Sequence, residues 1–259
     1  MSTNTQKVAI VTGGATGIGR AIAQALVAAG AAVIIAGRDQ QRGEEAAAAL
    51  GSNTLFVATD VSQEGDVQQL IATTVDRYGR LDYLINNAGI EAGMGGFEGT
   101  TADLLDQVLA INVKGVFLAI KHAAPVMVRQ QRGVIINIGS FVGTTNPILE
   151  AAAYGASKAA VLSLTRAAAA GYADQHLRVY AVCPWMTDTP MADRQTDRDP
   201  AAKARYAAAI NPSQQLVTPE DLARATVDIL EGRTELPNGE AVLVDYGSAL
   251  NRITPMTVA

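Results

Sequence analysis

The sequence predicts a doubly wound α/β fold, in which a parallel β-sheet is covered by helices on both faces. Short apolar runs such as 7–12 and 134–138 alternate along the chain with longer stretches of helical spacing. These runs lack the apolar–polar alternation of a sheet with one solvated face, so both of their faces are expected to be buried. No Pro- or Ser-rich linker and no internal repeat divides the 259 residues. We therefore expect one domain over 1–259.

Each element is predicted from its own residue pattern. The strands are short apolar or β-branched runs, and the helices repeat apolar residues every three or four positions. In chain order the predicted strands are 7–12, 32–36, 54–58, 81–86, 134–138, 178–183 and 241–244. The predicted helices are 17–29, 41–50, 65–78, 102–111, 113–131, 153–173, 201–210 and 219–231. The stretch 187–219 is irregular and rich in proline and charge, which is typical of a lid over a substrate site.

Composition and charge exclude several classes of function. The formal net charge is −5, which offers no basic surface for nucleic acid. No apolar run reaches the roughly 18 residues that a membrane-spanning helix needs, and the N-terminal residues lack the apolar core of a signal peptide. One cysteine, Cys183, and two histidines favour neither a disulfide nor a metal site. We expect a cytoplasmic protein that binds neither nucleic acid nor membrane, with no metal.

A glycine-rich turn joins the first predicted strand to the first helix. It runs from Thr12 through Gly13, Thr16 and Gly17 to Gly19. Glycines let backbone N–H groups approach a pyrophosphate at the positive end of a helix dipole. The spacing is looser than the usual three-glycine pattern of dinucleotide-binding turns, and a tight structural turn is the alternative interpretation. The strand before the turn and the helix after it favour a dinucleotide site that also includes Ile18.

The end of the second predicted strand indicates which dinucleotide is bound. An acidic residue there would bind a ribose hydroxyl and favour NAD. Here Gly37 occupies that place and Arg38 follows, and a guanidinium suits a 2′-phosphate. Asp39 is close enough either to weaken this preference or to cap the next helix. We predict NADP, with NAD as the alternative.

Tyr154 and Lys158 are four residues apart on a predicted helix and therefore share one face. An ordinary tyrosine has a pKa of about 10, too high for a base near neutral pH. A neighbouring ammonium favours the phenolate, so Lys158 is predicted to lower that pKa. Tyr154 would then exchange a proton with a substrate oxygen, and Ser140 would bind the same oxygen by a hydrogen bond. Small residues around the pair leave room for a flat ligand.

These motifs together resemble the short-chain dehydrogenase/reductase family, in its single-domain branch, over about residues 6–248. Their order and spacing agree with the family along nearly the whole chain. The resemblance implies a Rossmann-like fold with a seven-stranded parallel sheet, and commonly a homotetramer. The matching positions are the 12–19 turn, Asp60, Val61, Asn86, Asn87, Ala88, Gly89, Asn112, Ser140, Tyr154, Lys158, Pro184 and Thr189.

The resemblance also implies roles for these positions. Asp60 and Val61 match residues that hold the adenine, and the segment 86–89 matches one that lines the cofactor and braces the sheet. Asn112 matches a residue that holds a water in a proton relay behind the lysine. Lys158 matches one that also binds the nicotinamide ribose. The remaining predicted cofactor contacts are Tyr154, Pro184, Thr187 and Thr189.

Three positions depart from the family pattern. Trp185 replaces the glycine that usually follows Pro184, and a bulky indole there would reshape the nicotinamide end of the pocket. Gly139 stands where a second serine is frequent, and Tyr246 stands where a second glycine often follows Asp245. None of the three removes a proposed catalytic group.

The sequence thus predicts an NAD(P)-dependent oxidoreductase that interconverts a secondary alcohol and a ketone by hydride transfer. The predicted catalytic residues are Asn112, Ser140, Tyr154 and Lys158. One alternative is a nucleotide-sensing binding protein on the same fold, without turnover. The other is an epimerase or dehydratase, although only about seventy residues after Thr189 remain for the larger substrate region of such enzymes.

Overall fold

The computed structural model describes residues 6–93, 95–144 and 147–252. Most predicted elements are present, with ends shifted by one or two residues. The strands are β1 Val8–Thr12, β2 Ala32–Gly37, β3 Thr54–Ala58, β4 Tyr83–Asn86, β5 Gly133–Ile138, β6 Leu177–Pro184, β7 Ala241–Val244 and β8 Leu250–Arg252. The helices are α1 Gly17–Ala28, α2 Gln40–Leu50, α3 Glu64–Tyr78, α4 Gly96–Gly99, α5 Ala102–Leu109, α6 Gly115–Arg129, α7 Ala152–Gly171, α8 Pro190–Gln195, α9 Pro200–Ile210 and α10 Pro219–Leu230.

The strands form one twisted α/β sheet in the order β3-β2-β1-β4-β5-β6-β7-β8. Every pair from β3 to β7 is parallel. The strand order reverses between β1 and β4, because the chain crosses from one half of the sheet to the other there. In open sheets of this kind, ligands bind outside the carboxyl ends of the strands near that reversal.

The prediction of seven parallel strands is wrong by one strand, because β8 is added antiparallel to β7. After β7 the chain turns back at once: Gly247 has a φ of +69°, and the backbone N–H of Asp245 donates to the carbonyl of Ala249 at 2.9 Å. A three-residue strand that reads Leu-Asn-Arg is too short to show strand periodicity in the sequence. Tyr246 lies in this turn with its side chain 45% exposed.

Both faces of the sheet are buried, as the apolar strands predict. Alternate residues of β1 enter different cores, with Ala9 and Val11 packing on one face and Val8 and Ile10 on the other. The first core contains buried residues of α1, α2 and α10, and the second contains those of α3, α6 and α7. Together these layers hold the carboxyl ends of β1, β4, β5 and β6 in fixed positions relative to one another.

The two helices predicted at 102–131 are joined without a break. A π-helical turn over Ala110–Lys114 connects α5 to α6, and the fully buried Asn112 lies inside it. One extra residue in a helical turn rotates the following side chains, and such turns are frequent at functional sites. In the described part of the chain, no helix combines the length and the apolar character needed to cross a membrane.

Candidate active site

A cleft of about 270 Å³ opens at the carboxyl ends of the central strands. It is lined by the turn after β1 and by the segments that follow β4, β5 and β6, with α8 closing one side. Many of the residues predicted from the sequence meet here. They are Gly13, Thr16, Gly17, Ile18, Asn87, Ala88, Gly89, Ser140, Tyr154, Lys158, Pro184, Thr187 and Thr189.

The glycine turn needs glycine for two different reasons. Gly13 and Gly17 have φ values of +66° and +51°, a region that other residues rarely adopt. At Gly19 the reason is space, because a Cβ there would lie 2.4 Å from both the Asn87 amide nitrogen and the Gly13 carbonyl oxygen. No described side chain caps the start of α1 at Thr16. The first N–H groups of a 12-residue helix are therefore available to a phosphate.

Hydrogen bonds fix this turn against the segment after β4. The Thr12 hydroxyl oxygen accepts from the backbone N–H groups of Asn87 and Ala88, both at 3.0 Å. The Asn87 amide in turn donates to the carbonyls of Thr12 and Gly13, at 2.9 and 3.2 Å. The loop is therefore shaped before any ligand binds, which limits the entropy lost on binding.

Ser140, Tyr154 and Lys158 meet on the side of the cleft formed by β5 and α7. The Lys158 ammonium donates to the carbonyl of Ile138 at 2.8 Å and lies 5.6 Å from the centre of the Tyr154 ring. Ser140 follows β5 and is buried, and its side chain is close enough to the phenol to lower the pKa of Tyr154. The arrangement can present a hydroxyl, a phenol and an amine to one substrate oxygen.

The pKa of the phenol does not move in the direction that the sequence predicts. Burial raises the pKa of Tyr154 well above its ordinary value of 10, the charge of Glu91 raises it further, and only Ser140 lowers it. The same burial lowers the pKa of Lys158 to about 8. Both shifts have one physical cause, because a weakly polar environment disfavours the charged form of each group. In the protein alone, desolvation is thus the largest influence on both pKa values.

Asn112 lies behind this group and is held on both sides of its amide. Its side-chain nitrogen donates to the carbonyl of Ile90 at 2.8 Å and to the Ser157 hydroxyl at 3.0 Å. Its oxygen accepts from the backbone N–H of Ile90 at 2.8 Å. Gly89 lies close to both Asn112 and Lys158. A Cβ at this position would lie 3.2 Å from the Asn112 side-chain oxygen and 3.5 Å from Lys158 Nζ, so a larger residue would crowd both groups.

Five residues predicted to contact the cofactor do not line the cleft: Gly19, Arg38, Asp60, Val61 and Asn86. The Asn86 amide donates to Asn137 on the neighbouring strand at 2.8 Å, so this side chain braces the sheet. Arg38 follows β2 and is exposed. Burial raises the pKa of the Asp60 carboxyl, but hydrogen bonds from Ser62 and the charge of Arg38 hold it below its usual value. Arg38 and Asp60 are therefore close enough for their charges to interact.

The segment predicted as a lid contains α8 and α9, which ion pairs hold together, and one further ion pair joins the segment to the body of the protein. Lys203 of α9 pairs with Asp188 at 2.5 Å and also with Asp193. A single parallel β-bridge between Thr187 and Val217 brings the two ends of the segment together. Arg194 of α8, which lines the cleft, donates from Nε to Glu91 at 3.1 Å. This ion pair links the segment directly to the loop after β4.

Sequence reasoning missed several groups of this site. The Ile138 carbonyl that holds Lys158 and the Ile90 backbone that holds Asn112 belong to the main chain, so no residue type signals them. The Arg194–Glu91 pair joins residues more than a hundred positions apart. Gly139 is also explained only here, because a Cβ at this position would lie 2.6 Å from the sulfur of Cys183. Across the described residues, no three His, Cys, Asp or Glu side chains are grouped to bind a metal.

Comparison with known proteins decides the family. Residues 7–200 match the model of the short chain dehydrogenases. The chain belongs to this family. It is 38% identical over 247 residues to 2-(S)-hydroxypropyl-CoM dehydrogenase 3 of Xanthobacter autotrophicus, covering 93% of this chain and 96% of that protein.

Two solved structures extend the comparison to the fold and the cofactor. A 3-ketoacyl-(acyl-carrier-protein) reductase from Brucella melitensis complexed with NADH is 30% identical, with a TM-score of 0.83 over 93% of this chain and 97% of that chain. A variant of actinorhodin polyketide ketoreductase with NADPH is 29% identical, with a TM-score of 0.88 over 95% of this chain and 98% of that chain.

This short-chain dehydrogenase is an NAD(P)-dependent oxidoreductase that interconverts secondary alcohols and ketones. Its substrates are small molecules. The two alternatives, a nucleotide-sensing binding protein and an epimerase or dehydratase, are not favoured by these relatives.

Proposed function

We propose that Tyr154 is the acid/base of this reaction, that Ser140 orients the substrate oxygen, and that Lys158 and Asn112 support the proton transfer. One observation carries the proposal: Ser140, Tyr154 and Lys158 line the same cleft as the glycine turn. A proton-transfer group beside a dinucleotide site is what reversible reduction of a carbonyl requires.

The proton chemistry follows from the pKa shifts. A nicotinamide bound here supplies or accepts the hydride. With its pKa raised, the Tyr154 phenol is protonated near neutral pH and can donate its proton to the carbonyl oxygen of a ketone. In the reverse direction the phenolate accepts the proton of the alcohol. The Ser140 hydroxyl donates a hydrogen bond to the same oxygen, and the Lys158 ammonium, where it is charged, favours the phenolate.

The proposal is tested by mixing the protein with either coenzyme and a panel of secondary alcohols and ketones, and following nicotinamide absorbance. Turnover with stoichiometric change of the coenzyme supports it. A substrate converted without net change of the coenzyme would favour the epimerase or dehydratase. Coenzyme binding with no conversion across the panel would favour the binding protein.

We further propose that the dinucleotide lies along the cleft, with its pyrophosphate on the turn at Gly13, Thr16, Gly17 and Ile18. The open N-terminus of α1 and the two positive φ angles of the turn support this position. Asn87, Ala88 and Gly89 would flank the cofactor, and Pro184, Thr187 and Thr189 would meet its nicotinamide end. Asp60 and Val61 would hold the adenine, while Gly19 and Asn86 would shape the site from behind.

We propose NADP as the preferred coenzyme. Asp39, whose role the sequence left open, is the N-cap of α2: its carboxylate accepts from the backbone N–H of Arg42 at 3.0 Å and lies 3.5 Å from the Arg42 guanidinium. A carboxylate engaged in this way competes less for a ribose hydroxyl, which leaves Arg38 as the nearby charged group at the end of β2. A guanidinium there favours a 2′-phosphate.

Arg38→Gln is therefore expected to raise KM for NADPH by about 10- to 150-fold, because a charge-assisted hydrogen bond contributes roughly 1.5–3 kcal/mol. KM for NADH should change little. Steady-state kinetics with both coenzymes measures the two effects. Arg233→Gln, which removes an exposed arginine paired with Asp228, is the control and should leave both values unchanged. Equal losses with both coenzymes would contradict the preference for NADP.

We propose that the whole chain forms one domain and that 187–219 acts as its lid. The Arg194–Glu91 ion pair and the attachment of α9 through Lys203 support a segment that closes against the cleft as a unit. The cytoplasmic location stays a prediction from the sequence.

We also propose that the protein is a homotetramer. Three apolar side chains on neighbouring helices are exposed: Leu105 at 37% and Leu109 at 38% on α5, and Phe117 at 53% on α6. We take the three side chains to belong to one association surface, since large exposed apolar areas often mark such surfaces. Phe117→Asp is expected to reduce the molar mass measured by light scattering, whereas Phe97→Asp, at an exposed site on α4, should not. A monomeric wild-type protein would overturn the proposal.

A further inference from the structure

Two aromatic side chains stack on one another in the wall of the cleft. The ring centres of Phe141 and Trp185 are 4.8 Å apart, and their planes differ by 22°. Both rings line the cleft. Phe141 directly follows Ser140, and Trp185 directly follows Pro184 at the end of β6. The backbone therefore holds this aromatic pair beside the groups proposed to act on the substrate oxygen.

The pair belongs to an apolar cluster. Ile148 and Ile210 pack in the same cluster as the two rings, and Met186 and Met191 also line the cleft. Arg194 also lines the cleft, and its Nε donates to Glu91. A wall of this composition binds by apolar burial and by contact with aromatic rings, rather than by attraction to a charged substituent.

The indole of Trp185 has an unpaired polar atom. Its Nε1–H is buried and has no hydrogen-bond partner among the described residues. A buried donor left without an acceptor costs free energy, which a smaller apolar side chain at this position would avoid. We therefore expect the indole to contribute to ligand binding through its flat ring and not through its N–H. The ring packs on Phe141 and offers further aromatic surface to a ligand.

We propose that the Phe141–Trp185 pair is a substrate-specificity surface, and that the cleft selects ketones and secondary alcohols with a flat aromatic ring attached to the reacting carbon. This inference rests on the proposed function, because it assigns a substrate class to the same site. An aromatic ring gains energy on an aromatic wall beyond its area burial, whereas a saturated ring of equal size gains burial alone.

The test compares acetophenone with cyclohexyl methyl ketone, which share one carbon skeleton and differ in ring flatness. The full-length protein is saturated with oxidised coenzyme, so neither ketone reacts, and each Kd is measured by isothermal titration calorimetry. Acetophenone is expected to bind about 2- to 12-fold more tightly, which is the range of aromatic pair energies. Trp185 is the single tryptophan of the chain, so its fluorescence should change as the aromatic ketone binds.

Two variants locate the effect. Trp185→Leu keeps an apolar side chain without a ring and should abolish the preference, and Trp185→Phe should retain most of it. Equal Kd values for the two ketones in the wild-type protein would overturn the inference, and this comparison stands even if a variant fails to fold. A preference that survives Trp185→Leu would overturn it as well.

Activity separates this inference from the proposed function. The protein could oxidise both 1-phenylethanol and 1-cyclohexylethanol while the two ketones bind with equal Kd values. That result would support the proposed function and reject the aromatic pair as a specificity surface. Tight, ring-dependent binding with no coenzyme turnover on any alcohol would support the surface and reject the assigned chemistry.

Discussion

Tyr154→Phe is expected to lower kcat by about 10²- to 10⁴-fold in both directions, which is the range of a lost general acid/base. The substitution removes one oxygen and leaves the ring in place, so packing is preserved. The phenol interacts with Ser140 at the cleft and belongs to the group proposed to contact the substrate oxygen. Steady-state kinetics on an alcohol and on its ketone measures the loss.

Coenzyme affinity and a second tyrosine control this experiment. The Kd for NADPH should stay within a few-fold of the wild-type value, because the pyrophosphate turn is untouched. Tyr206→Phe makes the same chemical change in another side chain that lines the cleft, and it should keep nearly full activity. Retained turnover in Tyr154→Phe, or an equal loss in Tyr206→Phe, would reject Tyr154 as the acid/base.

Lys158→Met is expected to have the second largest effect, with kcat/KM lowered by about 10²-fold or more. The variant keeps a long apolar stem, but it loses the ammonium and its hydrogen bond to the carbonyl of Ile138. The phenolate would then lack the ammonium that lies 5.6 Å from its ring centre, so alcohol oxidation, which needs the phenolate, should suffer most. Activity of Lys158→Met within a few-fold of the wild-type value would exclude the amine from the reaction.

The stability of the same variant should depend on pH in a defined way. The pKa of Lys158 is about 8 in the folded protein, against an ordinary value of 10.5. Between these values the unfolded chain binds more protons than the folded one, so the lysine destabilises the protein fully below pH 8 and progressively less as the pH rises to 10.5. Each pKa unit corresponds to about 1.4 kcal/mol. The free energy of unfolding of the wild-type protein should therefore rise by roughly 3 kcal/mol relative to that of Lys158→Met as the pH rises through this range.

Urea denaturation of both proteins at several pH values measures this gain. Tyr154 and Cys183 are present in both proteins, so most of their own contribution cancels in the difference. The charge of Lys158 also lowers the pKa of Cys183, and this coupling is part of the measured effect. If the difference in free energy of unfolding between the wild-type protein and Lys158→Met stays constant from pH 7 to 10, then burial does not lower the folded-state pKa of Lys158.

Much of the site could be predicted from sequence because its signals are local. The glycine turn is one continuous segment, and its positive φ angles and close contacts tolerate few other residues. Tyr154 and Lys158 are one helical turn apart, so their spacing alone puts them on one face. Ser140 follows a strand whose apolar pattern is plain. Each of these groups belongs to a short segment that its own residues define.

Other features could not be predicted, either because the same residues allowed more than one local arrangement or because they depend on contacts between distant segments. The strand β8 forms where a turn after Asp245 brings the tripeptide Leu-Asn-Arg beside β7, and three residues carry too little pattern to predict a strand. Whether Asp39 would meet a ribose or cap α2 was open in the sequence, and the structure has it as the cap. The pairing of Phe141 with Trp185 brings together residues that follow different strands.

The sequence by itself determined the doubly wound α/β fold and the position of the glycine turn, and it singled out the Ser, Tyr and Lys groups proposed to act on the substrate, since these follow from residue type and short-range spacing. Only the tertiary structure decided how those groups ionise. Burial raises the pKa of Tyr154 and lowers that of Lys158, opposite to the effect expected from an isolated phenol–ammonium pair. Desolvation is a property of everything packed around a side chain, and no local pattern of residues encodes it.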